Sequence, residues 1–225
     1  MPILLLLWSL ASAAFAGAPV ILVLGDSLSA AHGLAPEQGW VALLSRRLER
    51  EGLPHRVINA SISGETSDGG RLRLPALLRR HRPQVVILEL GANDGLRGLP
   101  LSRLADNLAA MVRAARGAGA RVLLLAARLP PNYGPYAQAF HDLYRDLGRR
   151  LGVPVVDFLG AFGAHRELFQ GDGLHPTAAA QPLILDAVWP ALVPLLSPAA
   201  TAPPPPRPRR PGDGPSGSSL AGGNG

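Results

Sequence analysis

A serine, an aspartate and a histidine stand at sequence positions that suit nucleophilic catalysis. Ser27 follows an apolar run in the block GDSLS (25–29), and Asp172 and His175 lie three residues apart in the block DGLHP (172–176). A carboxylate at this spacing on a loop can hold imidazole Nδ1 and leave Nε2 free to accept a serine proton. We therefore expect Ser27 to be the nucleophile, His175 the general base and Asp172 the residue that orients the base.

Two further blocks contain groups that could stabilise an oxyanion. Gly64 lies in NASISGETS (59–67) and Asn93 in GANDG (91–95). A glycine amide and an asparagine side-chain amide are suitable hydrogen-bond donors for an oxyanion hole. The amide of Ser27 is a third candidate, because the chain after residue 25 is expected to turn into a helix whose N-terminal dipole favours negative charge. Taken singly, each of these two blocks is more often just an ordinary turn.

Short apolar runs alternate with amphipathic stretches between residues 20 and 195. The runs that we predict to be strands are 20–24, 56–60, 85–90, 121–127 and 154–157. The stretches that we predict to be helices are 40–51, 101–116, 136–151 and a last one that begins near Thr177 and ends or kinks near Trp189, before Pro190. This order predicts an α/β fold, a three-layer sandwich with a mostly parallel five-stranded sheet flanked by helices. The functional groups of such sheets gather beyond the carboxyl ends of the strands, where three of the four blocks lie, and the fourth, DGLHP, precedes the last predicted helix.

The four blocks in this order resemble those of the SGNH hydrolases, also called the GDSL esterase/lipase family. The resemblance covers about residues 20–195, and the segments ASISGETS, ELGANDGLRG and RLPPNYG are similar to those of the bacterial thioesterase I/lysophospholipase L1/arylesterase subgroup. It implies a flavodoxin-like sheet and a catalytic triad of Ser27, Asp172 and His175. It also implies an oxyanion hole formed by the amides of Ser27 and Gly64 and the side chain of Asn93.

Composition excludes several other classes of protein. The net charge is +6, but the basic residues, all arginine, are spread along the chain rather than clustered, so we expect no nucleic-acid partner and at most weak contact with a membrane surface. The chain has no cysteine, which excludes thiol nucleophiles and thiolate metal sites. We expect no metal and no cofactor.

The two ends of the chain differ in composition from its centre. Residues 1–16 are apolar and end in the cleavage-type sequence Ala14-Phe15-Ala16, which predicts a signal peptide and a periplasmic or secreted protein, although no Lys or Arg precedes the apolar stretch. A membrane-spanning helix is the alternative for this segment. Residues 198–225 are rich in Pro and Gly and are predicted to be disordered. The hydrolase domain is therefore predicted to occupy residues 17–197.

The expected substrates are small acyl esters, acyl thioesters or lysophospholipids, cleaved through an acyl-enzyme by a monomer. Leu96, Leu99 and Tyr133 lie in loops expected to flank the site and are candidates to line an acyl groove, or simply to pack their loops. Carbohydrate O-deacetylation and a non-catalytic envelope-binding role on the same fold stay open as alternatives. Among the other histidines only His32 is close enough in sequence to Ser27 to be weighed as a substrate contact.

Overall fold

Five short apolar segments form a single parallel sheet in the computed structural model, which describes residues 17–160, 162–163 and 165–197. The strands are β1 (Val20–Gly25), β2 (Arg56–Asn59), β3 (Val85–Glu89), β4 (Arg121–Leu125) and β5 (Val155–Val156). Their order across the sheet is β2-β1-β3-β4-β5. The predicted α/β fold is confirmed, and each predicted strand is present with its end shifted by at most two residues. The predicted signal peptide (1–16) and the predicted disordered tail (198–225) lie outside the described residues.

Helices cover both faces of the sheet. They are α1 (Trp40–Arg50), α2 (Ser67–His81), α3 (Ala92–Leu96), α4 (Leu101–Gly117), α5 (Pro135–Leu151) and α6 (Gln181–Leu192). Residues of α2, α4 and α5 pack with one face of the central strands, and residues of α1 and α6 pack with the other. Every residue of β1 and β3 is buried, as expected for parallel strands covered on both sides.

Sequence patterning does not predict α2. Its sequence contains Gly69, Gly70 and Pro75, which all have poor helix propensity. The tertiary contacts explain at least one of them, because a Cβ on Gly70 would lie 2.2 Å from Leu90 Cδ1. The glycine therefore lets the helix approach the end of β3 closely.

The last helix continues beyond the predicted stop. It follows a 3₁₀ turn (Ala178–Ala180) that begins after Thr177, and it runs through Pro190 to Leu192. Of the predicted end or kink near Trp189, the end is therefore wrong. An interior proline costs about 3 kcal/mol. Val188 and Leu192 are both fully buried on either side of it, and burial of two such side chains contributes roughly 3–6 kcal/mol. Residues 178–195 are also apolar enough in length and composition to span a membrane, but here they supply part of the core.

The topology brings several loops to one edge of the sheet. The segments after β1, β2 and β3 all leave at the carboxyl ends of parallel strands. From β1 the chain adds β2 on one side and then β3 on the other, so the switch point of the sheet lies between β1 and β3. A crevice at such a switch point is the usual ligand site of an open α/β sheet.

Candidate active site

Ser27, His175 and Asp172 form a continuous chain of hydrogen bonds. His175 Nε2 lies 2.9 Å from Ser27 Oγ, and His175 Nδ1 lies 2.6 Å from Asp172 Oδ2. The serine and the histidine are 148 residues apart in the chain, so only the fold can bring them together. Ser27 and His175 are half-buried and Asp172 is exposed.

The loop of the Asp172–His175 block is held by its own carboxylate. Asp172 Oδ1 accepts backbone hydrogen bonds from Leu174 at 2.8 Å and His175 at 3.0 Å, which leaves Oδ2 for the imidazole. Gly173 has a φ of +67°, which allows the tight turn between the two residues. The backbone hydrogen bond from His175 is the main reason why the pKa of Asp172 lies well below its usual value. The carboxylate therefore stays ionised beside the imidazole across the ordinary pH range.

Ser27 lies in a run of turns rather than at the start of a helix. Residues 27–33 are turns, and the first α-helix begins only at Trp40, so the expectation that the Ser27 amide lies at a helix N-terminus is wrong. The φ angles of Ala31 (59°) and Gly33 (73°) are positive, and a right-handed helix cannot continue through them. Ser27 is fixed instead by the turn bonds Ala30 N to Asp26 O and His32 N to Ser27 O.

Gly64 and Asn93 come to the same sheet edge as Ser27. The Gly64 loop is held beside β1 by the hydrogen bond from Ile62 N to Gly25 O. Asn93 Nδ2 donates to Glu65 O at 3.0 Å and to Asp26 Oδ2 at 3.1 Å, so it joins the Gly64 loop to the residue that precedes Ser27. Both neighbours are acceptors, which fixes the orientation of the amide.

Two backbone amides near the serine are free. Among the described residues, neither the N–H of Ser27 nor that of Gly64 has a protein acceptor, whereas both N–H groups of the Asn93 amide are occupied. An oxyanion could therefore take the two backbone donors directly, and Asn93 would have to share one of its bonds.

Comparison with known proteins shows which family the chain belongs to. Residues 23–182 match the GDSL-like Lipase/Acylhydrolase family. The chain belongs to this family. It is 53% identical over 183 residues to Esterase TesA of Pseudomonas aeruginosa, an alignment that covers 80% of this chain and 91% of the relative. It is 40% identical over 184 residues to Thioesterase 1/protease 1/lysophospholipase L1 of Escherichia coli K12, covering 81% and 87%.

A solved structure of the same family has a closely similar backbone. The psychrotrophic esterase EstA from Pseudoalteromonas sp., in a structure inhibited by monoethylphosphonate, is 43% identical and superimposes with a TM-score of 0.73. The match covers 77% of this chain and 96% of that one. The predicted resemblance to SGNH/GDSL hydrolases and to the thioesterase I subgroup is confirmed.

Sequence reasoning missed a buried polar network that fastens the GANDG block of this GDSL-like protein. Asp94 accepts hydrogen bonds from Ser67 N at 2.8 Å and from Ser67 Oγ at 2.6 Å, and Asn107 Nδ2 donates to Ser67 Oγ at 2.9 Å. Asp94 thus satisfies an N-terminal amide of α2 from outside the helix. The only available signal was an aspartate directly after Asn93, which is not distinctive.

The histidine nearest to Ser27 in sequence contacts the triad. The rings of His32 and His175 lie 4.3 Å apart between centroids at an angle of 39°. Gln170 Nε2 donates to His32 O at 2.8 Å and to Pro176 O at 3.1 Å, which ties the turn after β1 to the histidine loop. His32 is therefore placed to support the imidazole. Its weighed role as a substrate contact stays a prediction.

The two loops expected to flank the site are joined to each other. Tyr133 Oη donates to Leu96 O at 3.2 Å, and Tyr136 Oη donates to Leu99 O at 2.7 Å. Leu96, Leu99 and Tyr133 are all half-buried. Loop packing, the simpler expectation, accounts for part of their conformation.

Proposed function

We propose that this chain hydrolyses carboxylic esters and thioesters of acyl chains through an acyl-enzyme on Ser27. The observation that carries the proposal is the continuous hydrogen-bond chain from Ser27 Oγ through His175 to Asp172. The relatives named esterase, thioesterase and lysophospholipase support the reaction class. The substrates are small acyl esters, thioesters or lysophospholipids.

In this mechanism His175 moves one proton in each direction. Nε2 accepts the proton of Ser27 as Oγ attacks the acyl carbonyl, and then donates it to the leaving alkoxide or thiolate. Asp172 holds the ring in the tautomer that carries hydrogen on Nδ1 and stabilises the imidazolium. Water, activated by the same imidazole, then hydrolyses the acyl-enzyme.

The tetrahedral oxyanion lies against the amides of Ser27 and Gly64 and the side chain of Asn93. The two backbone N–H groups support this assignment because they have no other acceptor in the described part of the chain. Loss of one such donor lowers kcat by roughly 10²–10³-fold. The acyl chain is assigned to the loops that contain Leu96, Leu99 and Tyr133.

The protein acts as a monomer in the periplasm or outside the cell. The apolar segment 1–16 supports export on its sequence alone. The composition of the chain supports a hydrolase domain at 17–197, followed by a Pro- and Gly-rich tail at 198–225.

The deciding experiment is hydrolysis of p-nitrophenyl esters and acyl-CoA thioesters, from acetyl to palmitoyl, by the wild type and by Ser27→Ala. We expect activity on medium or long chains that is lost with Ser27, together with labelling by a fluorophosphonate probe. Activity on acetyl esters alone would favour carbohydrate O-deacetylation. Absence of labelling would favour a non-catalytic binding protein, and an active Ser27→Ala variant would refute the nucleophile.

A further inference from the structure

Two carboxyl side chains are buried next to each other beneath the nucleophile. Asp26 directly precedes Ser27, and Glu89 is the last residue of β3, paired in register with Gly25 of β1. Both carboxyl residues have no solvent exposure. Gly25 provides the space for this arrangement, because a Cβ there would lie 2.7 Å from Glu89 Oε2.

Neutral donors surround the pair. Glu89 Oε2 accepts from Ser29 Oγ at 2.8 Å and from Asp26 N at 3.2 Å, and Asp26 Oδ1 accepts from Leu28 N at 3.0 Å. Asp26 Oδ2 accepts from Asn93 Nδ2. In the described part of the chain neither carboxyl has an ion-pair partner. No N–H group or hydroxyl group there donates a hydrogen bond to Glu89 Oε1.

Two ionised carboxylates cannot coexist at such a site, since each would be an uncompensated buried charge beside a like charge. A proton on Glu89 resolves both problems, because it neutralises one group and supplies a donor for the other. We propose that Asp26 and Glu89 share one proton, with Glu89 as the donor, and that the Asp26 carboxylate is a positioning residue that holds the Asn93 amide at the oxyanion site. The proposal rests on the proposed function.

The pKa shifts of the two carboxyls agree with a proton on Glu89 and a negative charge on Asp26. Burial raises the pKa of Asp26 to about 6 and raises that of Glu89 well above its usual value, and the neighbouring Asp26 charge adds to the rise for Glu89. The other titratable groups that face the pair are Tyr144, whose pKa burial also raises well above its usual value, and His175, which attracts the Asp26 charge. Each Asp26 oxygen has a neutral donor, Leu28 N or Asn93 Nδ2, whereas Glu89 Oε1 has none, so Asp26 and not Glu89 is the group that ionises.

The position of the anion gives it two effects on the reaction. As an acceptor for Asn93 Nδ2 it keeps the amide nitrogen, and not its oxygen, directed towards the acceptors beside Ser27. As a charge near His175 it favours the imidazolium that forms when the base takes the serine proton. Protonation of Asp26 would weaken both.

Two amide substitutions test the role of Glu89 as proton donor and the role of Asp26 as positioning anion separately. In Glu89→Gln, Nε2 replaces the protonated oxygen as the donor to Asp26, and Oε1 still accepts from Ser29 and from Asp26 N. In Asp26→Asn, the NH₂ group must face either Asn93 Nδ2 or Leu28 N, so two donors oppose each other in either orientation and the negative charge is lost. Glu51→Gln, an exposed carboxyl after α1, is the matched control.

The first measurement is infrared spectroscopy at neutral pH, in which the spectrum of each variant is subtracted from that of the wild type. We expect the wild type and Glu51→Gln to show the carbonyl band of a protonated carboxylic acid, and Glu89→Gln to lack it. A wild type without the band overturns the shared proton. This readout does not depend on catalysis, so it decides the point even if Ser27→Ala refutes the proposed function.

The second measurement is steady-state hydrolysis by the same variants, with circular dichroism to confirm folding. We expect Asp26→Asn to lower kcat roughly 10–100-fold with KM within about twofold, and Glu89→Gln to retain kcat within about threefold. Equal losses in both variants, or a change in KM alone, overturn the positioning role. If Asp26→Asn does not fold, Asp26→Ala replaces it, and a kcat equal to that of Glu89→Gln overturns the role.

Discussion

At the scale of single residues, the contacts of Asp172 require a carboxylate at this position. Both of its oxygens are committed, Oδ1 to two backbone amides and Oδ2 to the imidazole. An asparagine could keep the first role, because its oxygen accepts equally well. Its NH₂ group would then face His175 Nδ1 and force the proton onto Nε2, where the base must be free.

Asp172→Asn is therefore expected to lower kcat by roughly 10³–10⁴-fold without loss of folding. The measurement is steady-state ester hydrolysis beside a thermal melt. Asp146→Asn, an exposed aspartate paired with Arg149 on α5, is the control and should match the wild type. Comparable kcat values for Asp172→Asn and the control would mean that the imidazole does not depend on this carboxylate.

Gly91 is the first residue of the GANDG block and has no room for a side chain. Its φ is +126°, and a Cβ would lie 2.1 Å from Tyr144 Oη, which donates to Leu90 O. Gly91→Ala is expected to reduce the free energy of unfolding by roughly 2–4 kcal/mol, from the conformational strain together with the clash. Gly119→Ala shares the positive φ but meets nothing within 4 Å, so about 1 kcal/mol is expected. Urea melts that gave equal losses would show that the clash is relieved.

The three residues of the hydrogen-bond chain could be singled out from the sequence, but the polar contacts around them could not. Ser27 and His175 stand in short blocks whose order is informative without any structure. The pairing of Asp26 with Glu89, in contrast, depends on the register of β1 and β3, and a glutamate at the end of an apolar strand does not reveal its neighbour. The two bonds of Asn93 depend in the same way on how two loops meet.

At the scale of elements, apolar runs determined the strands well because parallel strands are buried on both faces. Helix α2 was missed because Gly70 and Pro75 lower its propensity, and its stability comes from contacts that the sequence does not display. One is the capping of Ser67 by Asp94 from the block after β3. The 3₁₀ turn and α6 show the opposite error, since local chemistry predicted a stop at Pro190 that core packing overrides.

The protein should be more stable at alkaline pH when Glu89, which lies where β3 pairs with β1, is replaced by glutamine. Glu89 in the unfolded chain releases its proton at the usual carboxyl pKa, whereas the folded protein holds it to much higher pH. Between these values the folded state binds more protons, so wild-type stability falls as pH rises. Glu89→Gln lacks this penalty. Its Tm should therefore exceed that of the wild type at about pH 8, and the difference should narrow towards about pH 4–5; a constant difference would contradict a raised pKa.

At the scale of the whole molecule, the sheet order explains why distant blocks form one site. The chain leaves β1 and β3 on opposite sides of the switch point, so the loops that contain Ser27 and Asn93 border the same crevice. His175 reaches it from beyond β5. An apolar cluster on each face of the sheet packs behind this edge.

A chain shortened to residues 17–197 should therefore keep the Tm and kcat/KM of the full chain. Every helix and strand named above and all three triad residues lie within it.

A chain that ends at residue 192 is the matched control. It loses Leu196, which is 4% exposed in the cluster under α1 and α6 and whose carbonyl accepts from Gln84 Nε2. Loss of one buried leucine costs on the order of 2–5 kcal/mol, so this control should melt lower while the 17–197 chain does not. If both shortened chains melted equally below the full chain, residues outside 17–197 would have to contribute to the fold, and the domain boundary near residue 197 would be wrong.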